Sequence, residues 1–441
     1  MIKHLGGAFA SLRLYPISHP SVTKNLDDLY DSIKDIIGNK NRMVIAITRN
    51  IPIVDGIPVY QKNIHLDSFR ELFNRKNIEV IIIKTQITKE ELIPFLNILK
   101  EEDNPDKPIH VGRVLEKQNI KNILIKDLNF DEEAKETYLT TIDTISRTLE
   151  DVRLGNKISI LENKRAVRNI VNTILIDQNT LLSLTMIKNY NDYLYSHSVN
   201  VCILASTLAE ELGYSEEEIN EIGLAGLLHD IGKLKTPKSI LLKPGKLNED
   251  EWKLMKKHPT LGSQLLSEHQ GVSHRTIKMV YEHHMRPNPD GYPALKSGEQ
   301  ISPESQIIAV ADTFDASTTL RPYQDPLTQI EAIKKMKRMS IENKHFNTKI
   351  LDTFVKMLGI YPIGATVRLD TNELALVTRY NLKQAAPVVK IFIDKDGHLL
   401  EDMLEVDLND RDSGTGKPTR SVVNEIDALS RNLDLTQVFL K

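Results

Sequence analysis

The sequence predicts a multidomain chain: an α/β N-terminal domain over residues 1–130, a helical linker over 131–184, an all-α domain over 185–358 and a small β-rich appendage over 359–441. Three observations predict it. Strand-like and helix-like apolar patterns alternate through the first 130 residues. Helical spacing then runs almost without a break from 185 to 358, and after Tyr361-Pro362 the pattern turns to short β-branched runs. A length of 441 residues suits two or three domains better than one.

In chain order, Val22–Ile37 has helical spacing and Met43–Thr48 is apolar and β-branched. Ile51–Val54 and Ile57–Tyr60 flank Asp55-Gly56, a two-residue hairpin signal. Leu66–Asn74 reads as a helix and Glu79–Lys84 as a strand. Thr88 with Glu91 forms a capping box ahead of a helix through Leu99, and Asp103–Pro108 is a loop. In the linker, Tyr138, Ile142, Ile145, Leu149 and Val152 recur at spacings of four and three, ending near Gly155. This stripe either packs on its own domain or pairs with a second copy as a homodimer. Asn248 and Glu251 cap a helix expected to run through Leu266, and further helical runs are Ile307–Thr318, Leu327–Met339 and Ile350–Leu358. Thr366–Leu369, Leu374–Tyr380 and Val388–Ile393 are strand-like, with Asp396-Gly397 as a turn. Arg420–Leu440 fits a last strand or a last helix.

Composition narrows the function. Apolar residues make up 40% and charged residues 27%, with a net charge of −3, so no basic excess points to a nucleic-acid polymer. The single cysteine, Cys202, excludes an internal disulfide and suits a reducing compartment. The first residues lack a signal-peptide layout and no apolar run is long enough to span a bilayer. A cytoplasmic protein is expected.

The histidines carry the chemistry. Seven of the thirteen fall between His197 and His284, including the adjacent pairs His229-Asp230 and His283-His284. Neighbours on a helix point about 100° apart, so adjacent ligands can serve two ions. Such pairing suits a two-metal site that activates water. His229-Asp230 closes the apolar run Ile222–Leu228, and Lys233 follows three residues later, where a cation could stabilise charge on a phosphate. Asp312 lies inside the apolar run Ile307–Ala316, where an unpaired carboxylate is costly. Taken singly, each residue is ordinary: His197 a helix histidine, His258 an exposed one, Asp312 a partner of Arg321. His19, His65, His110, His269, His274 and Cys202 show no partner pattern. The order His197, His229-Asp230, His258, His283-His284, Asp312 on a helical background is what points to a site.

That order resembles the HD-GYP family of cyclic di-GMP phosphodiesterases. The resemblance covers about residues 190–358, and so lies in the all-α domain. It rests on His197-Ser198 with Asn200-Val201, on Leu227-Leu228-His229-Asp230-Ile231-Gly232-Lys233, and on Lys243-Pro244-Gly245-Lys246-Leu247 followed by Trp252 and His258-Pro259. Gly291-Tyr292-Pro293, Asp312-Thr313-Phe314-Asp315-Ala316 and Arg321-Pro322-Tyr323 complete it. The segment from Tyr361-Pro362-Ile363-Gly364 resembles a tail often attached to such domains.

The resemblance implies hydrolysis of cyclic di-GMP in bacterial second-messenger signalling. Two divalent ions, iron or manganese, would be held by His197, His229, His258, His283, His284 and Asp312, with Asp230 bridging. Lys233 would contact the scissile phosphate, with Arg321 in a phosphate or structural role. Gly291, Tyr292 and Pro293 would line the substrate side and could dock signalling proteins. Three departures from the family pattern stand out. Met285 replaces a glutamate and Asn288-Pro289 replace Asp-Gly; Tyr193 stands where a third-metal glutamate occurs; Gln324 stands where a basic residue often follows. The donor set itself admits iron, manganese or zinc. Two ions are therefore expected, and two rival readings stand beside catalysis on cyclic di-GMP: a phosphohydrolase for another nucleotide, and a metal-holding cyclic di-GMP receptor or scaffold that the altered loop favours.

Overall fold

The computed structural model describes all residues except 1, 17, 49–50, 56, 60–63, 77, 102–110, 128–129, 186–192, 242, 244, 289, 297, 320–325, 360, 362–363, 381–385, 412–413 and 427–441. The chain divides into two compact units, Met1–Glu133 and Ala134–Lys441.

The first unit holds α1 (Ile2–Leu14), α2 (Pro20–Ile37), β1 (Arg42–Thr48), β2 (Ile51–Val54), β3 (Ile57–Pro58), α3 (Ile64–Arg75), β4 (Ile78–Lys84), α4 (Lys89–Lys100), α5 (Val111–Lys117) and β5 (Ile123–Asp127). The strands form one antiparallel sheet in the order β3-β2-β1-β4-β5. The expected hairpin pairs Val54 with Ile57. Helix α2 buries Val22, Leu26, Leu29, Ile33 and Ile37, the stripe its spacing predicts. The Thr88–Glu91 capping box is present, and Glu91 Oε1 also accepts the N–H of Lys121 and Asn122, which anchors the start of β5. Helices α1 and α5 and strand β5 have patterns too short or too interrupted to stand out in the sequence. The loop expected at Asp103–Pro108 lies outside the described residues.

The second unit is mostly helical. It contains α6 (Phe130–Leu154, its first turn at the unit boundary), α7 (Ile160–Leu184), α8 (Tyr193–Glu211), α9 (Glu216–Leu228), a 3₁₀ turn (Ile231–Lys235), α10 (Lys238–Leu241), α11 (Glu249–Met255), α12 (His258–Ser267), α13 (His274–Glu282), α14 (Pro303–Thr318), α15 (Gln329–Asn343) and α16 (Thr348–Leu358). An antiparallel sheet follows, made of β6 (Thr366–Leu369), β7 (Leu374–Tyr380), β8 (Pro387–Ile393), β9 (Leu399–Asp407) and β10 (Val422–Ile426), in the order β10-β6-β7-β8-β9. Of the run Arg420–Leu440, residues 422–426 form a strand, and residues 427–440 lie outside the described residues.

One of the two readings of the linker stripe is favoured, and one expectation changes. The stripe on α6 is buried within its own unit: Tyr138, Ile145, Leu149 and Val152 are joined there by Thr141, Thr144 and Thr148. And the helix expected from Asn248 through Leu266 breaks after Met255, with a new helix starting at His258. The cause is Pro259. A proline inside a helix donates no N–H and its ring collides with the carbonyl four residues back, here that of Met255.

No helix among the described residues is long and apolar enough to cross a membrane. Helices α8, α9, α12, α13 and α14 converge on one region, with the 3₁₀ turn laid directly on α12. A Cβ at Gly232 would fall 2.0 Å from the His258 carbonyl oxygen and 2.5 Å from Gly262 N, so only glycine permits this approach. Gly232→Ala should therefore destabilise the protein by about 1–3 kcal/mol, the usual cost of overpacking. Thermal unfolding followed by circular dichroism measures it; an unchanged midpoint would show that the turn can move off α12.

Candidate metal centre

Most of the candidate ligands sit at helix ends. His229 follows the last residue of α9, His258 is the first residue of α12, and His283-His284 follow α13. The last carbonyls of a helix have no intrahelical partner. Three of these histidines use them in the same way. Each brings Nδ1 to the carbonyl three residues back: His229 to Gly226 at 2.7 Å, His258 to Met255 at 2.9 Å and His283 to Val280 at 2.7 Å. A carbonyl oxygen only accepts, so Nδ1 carries the proton and Nε2 is left with its lone pair. The Met255 carbonyl is the one that Pro259 displaces. His197 lies within α8, where the carbonyls are used by the helix. Its Nδ1 instead donates to Asp315 Oδ2 on α14 at 2.7 Å.

The Nε2 atoms and two carboxylates then meet in a buried space. His258 Nε2 and His283 Nε2 are 3.2 Å apart, and both are acceptors, so no hydrogen bond can join them. Asp230 Oδ1 is 3.3 Å from His258 Nε2, and its Oδ2 is 3.3 Å from His229 Nε2 and 3.7 Å from His197 Nε2. Asp312 Oδ1 is 3.3 Å from His197 Nε2, and Oδ2 is 3.8 Å from His284 Nδ1. Two groups could each hold a cation: Asp230 with His258, His283 and His284, and Asp230 with His197 and His229. Asp230 is common to both. His229 Nε2 and Asp230 Oδ1 are buried with no hydrogen-bond partner. Leaving such atoms dry and unsatisfied costs a few kcal/mol each, and a divalent ion relieves it. An imidazole and carboxylate donor set fits iron, manganese or zinc.

Lys233 Nζ lies 2.5 Å from Asp230 Oδ2, in the 3₁₀ turn that brings i and i+3 together. The Tyr292 ring lies tilted against His284 with centroids 4.6 Å apart, and the Tyr292 N–H donates to the His284 carbonyl at 3.0 Å. A Cβ at Gly291 would fall 2.2 Å from Arg286 N, so that glycine is needed for the loop to fold back on itself. Pro293 follows in the same loop. Met285 is buried where the family pattern has a glutamate, and Arg286 donates to the carbonyls of His283 and Met285. Arg321, Pro289 and Gln324 lie outside the described residues, as does the side chain of Tyr193. His269 has a structural role: Nδ1 donates to the Leu265 carbonyl and Nε2 accepts the Ile158 N–H. Cys202 is buried core.

Three residues named in the sequence received no site role there: Asp315, Asn200 and Tyr138. Asp315 had a signal. It lies three residues after Asp312 on the same apolar helix and is 1% exposed. Asn200 lies three residues after His197, likewise one turn on. Tyr138 gave no signal.

Fold and site together define an HD domain, and the HD domain family model matches residues 182–350. The chain is 40% identical over 243 residues to a cyclic di-GMP phosphodiesterase of Pseudomonas aeruginosa, a match covering 55% of this chain and 58% of that one. It is 46% identical over 134 residues to a cyclic di-GMP phosphodiesterase response regulator of Xanthomonas campestris, covering 30% and 35%. A 3′3′-cGAMP-specific phosphodiesterase of Vibrio cholerae is 34% identical over 195 residues, covering 44% and 43%. The matches thus span about a third to three-fifths of the relatives' own lengths. An HD domain is thus present over residues 182–350 of this chain.

The electrostatics of the centre set a proton balance. Burial pushes His258 down to about 4, and burial with neighbouring imidazoles holds His283 and His284 well below the ordinary histidine range. Burial also opposes charge on His197, but the carboxylates of Asp312 and Asp315 outweigh it and raise its pKa to about 9. Burial opposes the charges of Asp230 and Asp312 too, yet the surrounding imidazoles and, for Asp230, Lys233 keep both well below the carboxylate range. Without metal, His197 therefore keeps its proton at neutral pH, and a cation must displace it. Divalent-metal affinity should rise with pH up to about 9, with one proton released at His197 on loading. Titration calorimetry in buffers of different ionisation enthalpy counts that proton; a buffer-independent heat would contradict it.

Proposed function

We propose that this chain hydrolyses the 3′–5′ phosphodiester bond of cyclic di-GMP at a dinuclear metal centre in bacterial second-messenger signalling. The observation that carries the reading is the position of Asp230, shared by two ligand groups whose remaining donors are imidazole nitrogens, all of buried residues except the half-buried His284. The names of the Pseudomonas and Xanthomonas relatives support the substrate.

His258, His283 and His284 would hold one ion and His197 and His229 the other, with Asp312 beside His197 and His284 and Asp230 shared by both sets. Iron or manganese suits the site. Such ions supply Lewis-acid charge and an acidified water. Lys233 offers its ammonium to the scissile phosphate, and Arg321 is a second candidate for a phosphate. Gly291, Tyr292 and Pro293 border the substrate side. Residues 1–130 form the α/β N-terminal domain, 131–184 the linker, 185–358 the metal domain and 359–441 the β tail. The setting is cytoplasmic.

A second reading has its own support: the Vibrio relative is named for 3′3′-cGAMP. A purified, metal-analysed sample assayed on both dinucleotides separates the two. Cleavage of neither, with cyclic di-GMP still bound, would make the chain a receptor.

Asp230→Asn should lose both ions, and hydrolysis should fall by more than about 100-fold, above the usual effect of groups one step removed from a metal. The helices keep their own apolar faces, so circular dichroism should change little. Metal content near wild type in that variant would remove the bridging role.

A further inference from the structure

Tyr138 lies on α6, outside the residues that match the HD family model. Its hydroxyl is buried and donates to Asn200 Oδ1 at 3.0 Å. Asn200 Nδ2 donates to Asp315 Oδ1 at 2.9 Å and also reaches the Thr185 carbonyl at 3.2 Å. Asp315 Oδ2 accepts the Nδ1 proton of His197 at 2.7 Å. Phenol, amide, carboxylate and imidazole thus form one buried chain of hydrogen bonds that ends on a candidate metal ligand.

The residue types fit the order. An amide has an acceptor on one side and two donors on the other, so Asn200 can take the phenol proton and face a carboxylate at once. Turning that amide over would set its oxygen against the oxygens of Asp315. The Thr185 carbonyl and Asp315 Oδ1, both acceptors, exclude this alternative, and the amide oxygen so placed accepts the Tyr138 O–H. In a low-dielectric interior each bond polarises the next, so a donor at the far end is felt at the near one. Burial of the phenol keeps it in its proton-bearing form.

We infer that Tyr138 is a positioning residue for the metal centre: acting through Asn200 and Asp315, it fixes the ring of His197 from a helix that precedes the HD segment. The affinity arm of the test rests on the metal reading above; the spectroscopic arm does not.

The experiment compares full-length wild type with Tyr138→Phe, Asp315→Asn, the double variant, and Ile145→Val as a packing control on the same helix. One readout is manganese(II) affinity by competition with a fluorescent chelator. The other is the downfield proton NMR signal of His197 Nδ1–H in metal-free protein, identified by its absence in His197→Gln. Asp315 touches the ligand directly, and its loss should cost about 10–100-fold in affinity. Tyr138→Phe should cost less, about 3–10-fold, and add almost nothing on top of Asp315→Asn, because the two act along one path. The His197 signal should shift in Tyr138→Phe and stay in place in Ile145→Val. Fully multiplying affinity losses, or a His197 signal unmoved by Tyr138→Phe, would overturn the inference. A wild type that binds no manganese would count against the metal reading, and the NMR comparison would still decide the role of Tyr138.

Discussion

The structure depends on one electrostatic constraint: carboxylates and imidazole lone pairs converge where water is scarce. Asp230 and Asp312 are charged and almost fully buried. His258 and His283 turn bare nitrogens toward each other at 3.2 Å. Such a cluster is unstable without positive charge. Lys233 contributes some, and His197 adds more by keeping a proton. The cluster is nonetheless held in place because the Nδ1 atoms of His229, His258 and His283 are tied to backbone carbonyls and that of His197 to Asp315.

The helix boundaries follow from that requirement. A histidine that must donate Nδ1–H to a carbonyl three residues back needs a carbonyl the helix is not using, and helix ends supply one. The break between α11 and α12 supplies one in mid-course. Pro259 frees the Met255 carbonyl, and His258 takes it up. The same break brings the start of α12 under the 3₁₀ turn, where Gly232 and Gly262 let the two backbones touch. The proline and the two glycines thus set the distance between Asp230 and His258.

The centre was readable in the sequence to the extent that its residues announce themselves by type and neighbourhood. His229-Asp230 closes an apolar run, and Asp312 interrupts another; both are out of place in a plain core. Their joint order gave the site, and the order of helices came with it. The helix break could have been read from Pro259 but was obscured by the strong cap at Asn248. Asp315 and Asn200 could have been found by stepping one helical turn from Asp312 and His197. Tyr138 could not: it reaches Asn200 across 62 residues, and its place in an apolar stripe looks like ordinary packing. In the first unit, α1 was hidden by Gly6 and Gly7 within its span, and β5 by its five-residue length.

The scatter of the site along the chain also bears on biosynthesis. His197 and Asp315 stand 118 residues apart. At about 5–20 residues per second, roughly 6–24 s pass on the ribosome between the making of the first imidazole and of the carboxylate that orients it. During that interval the early ligands exist without their late partners. A nascent chain of this protein cannot assemble the whole cluster until Asp312 and Asp315 have been made.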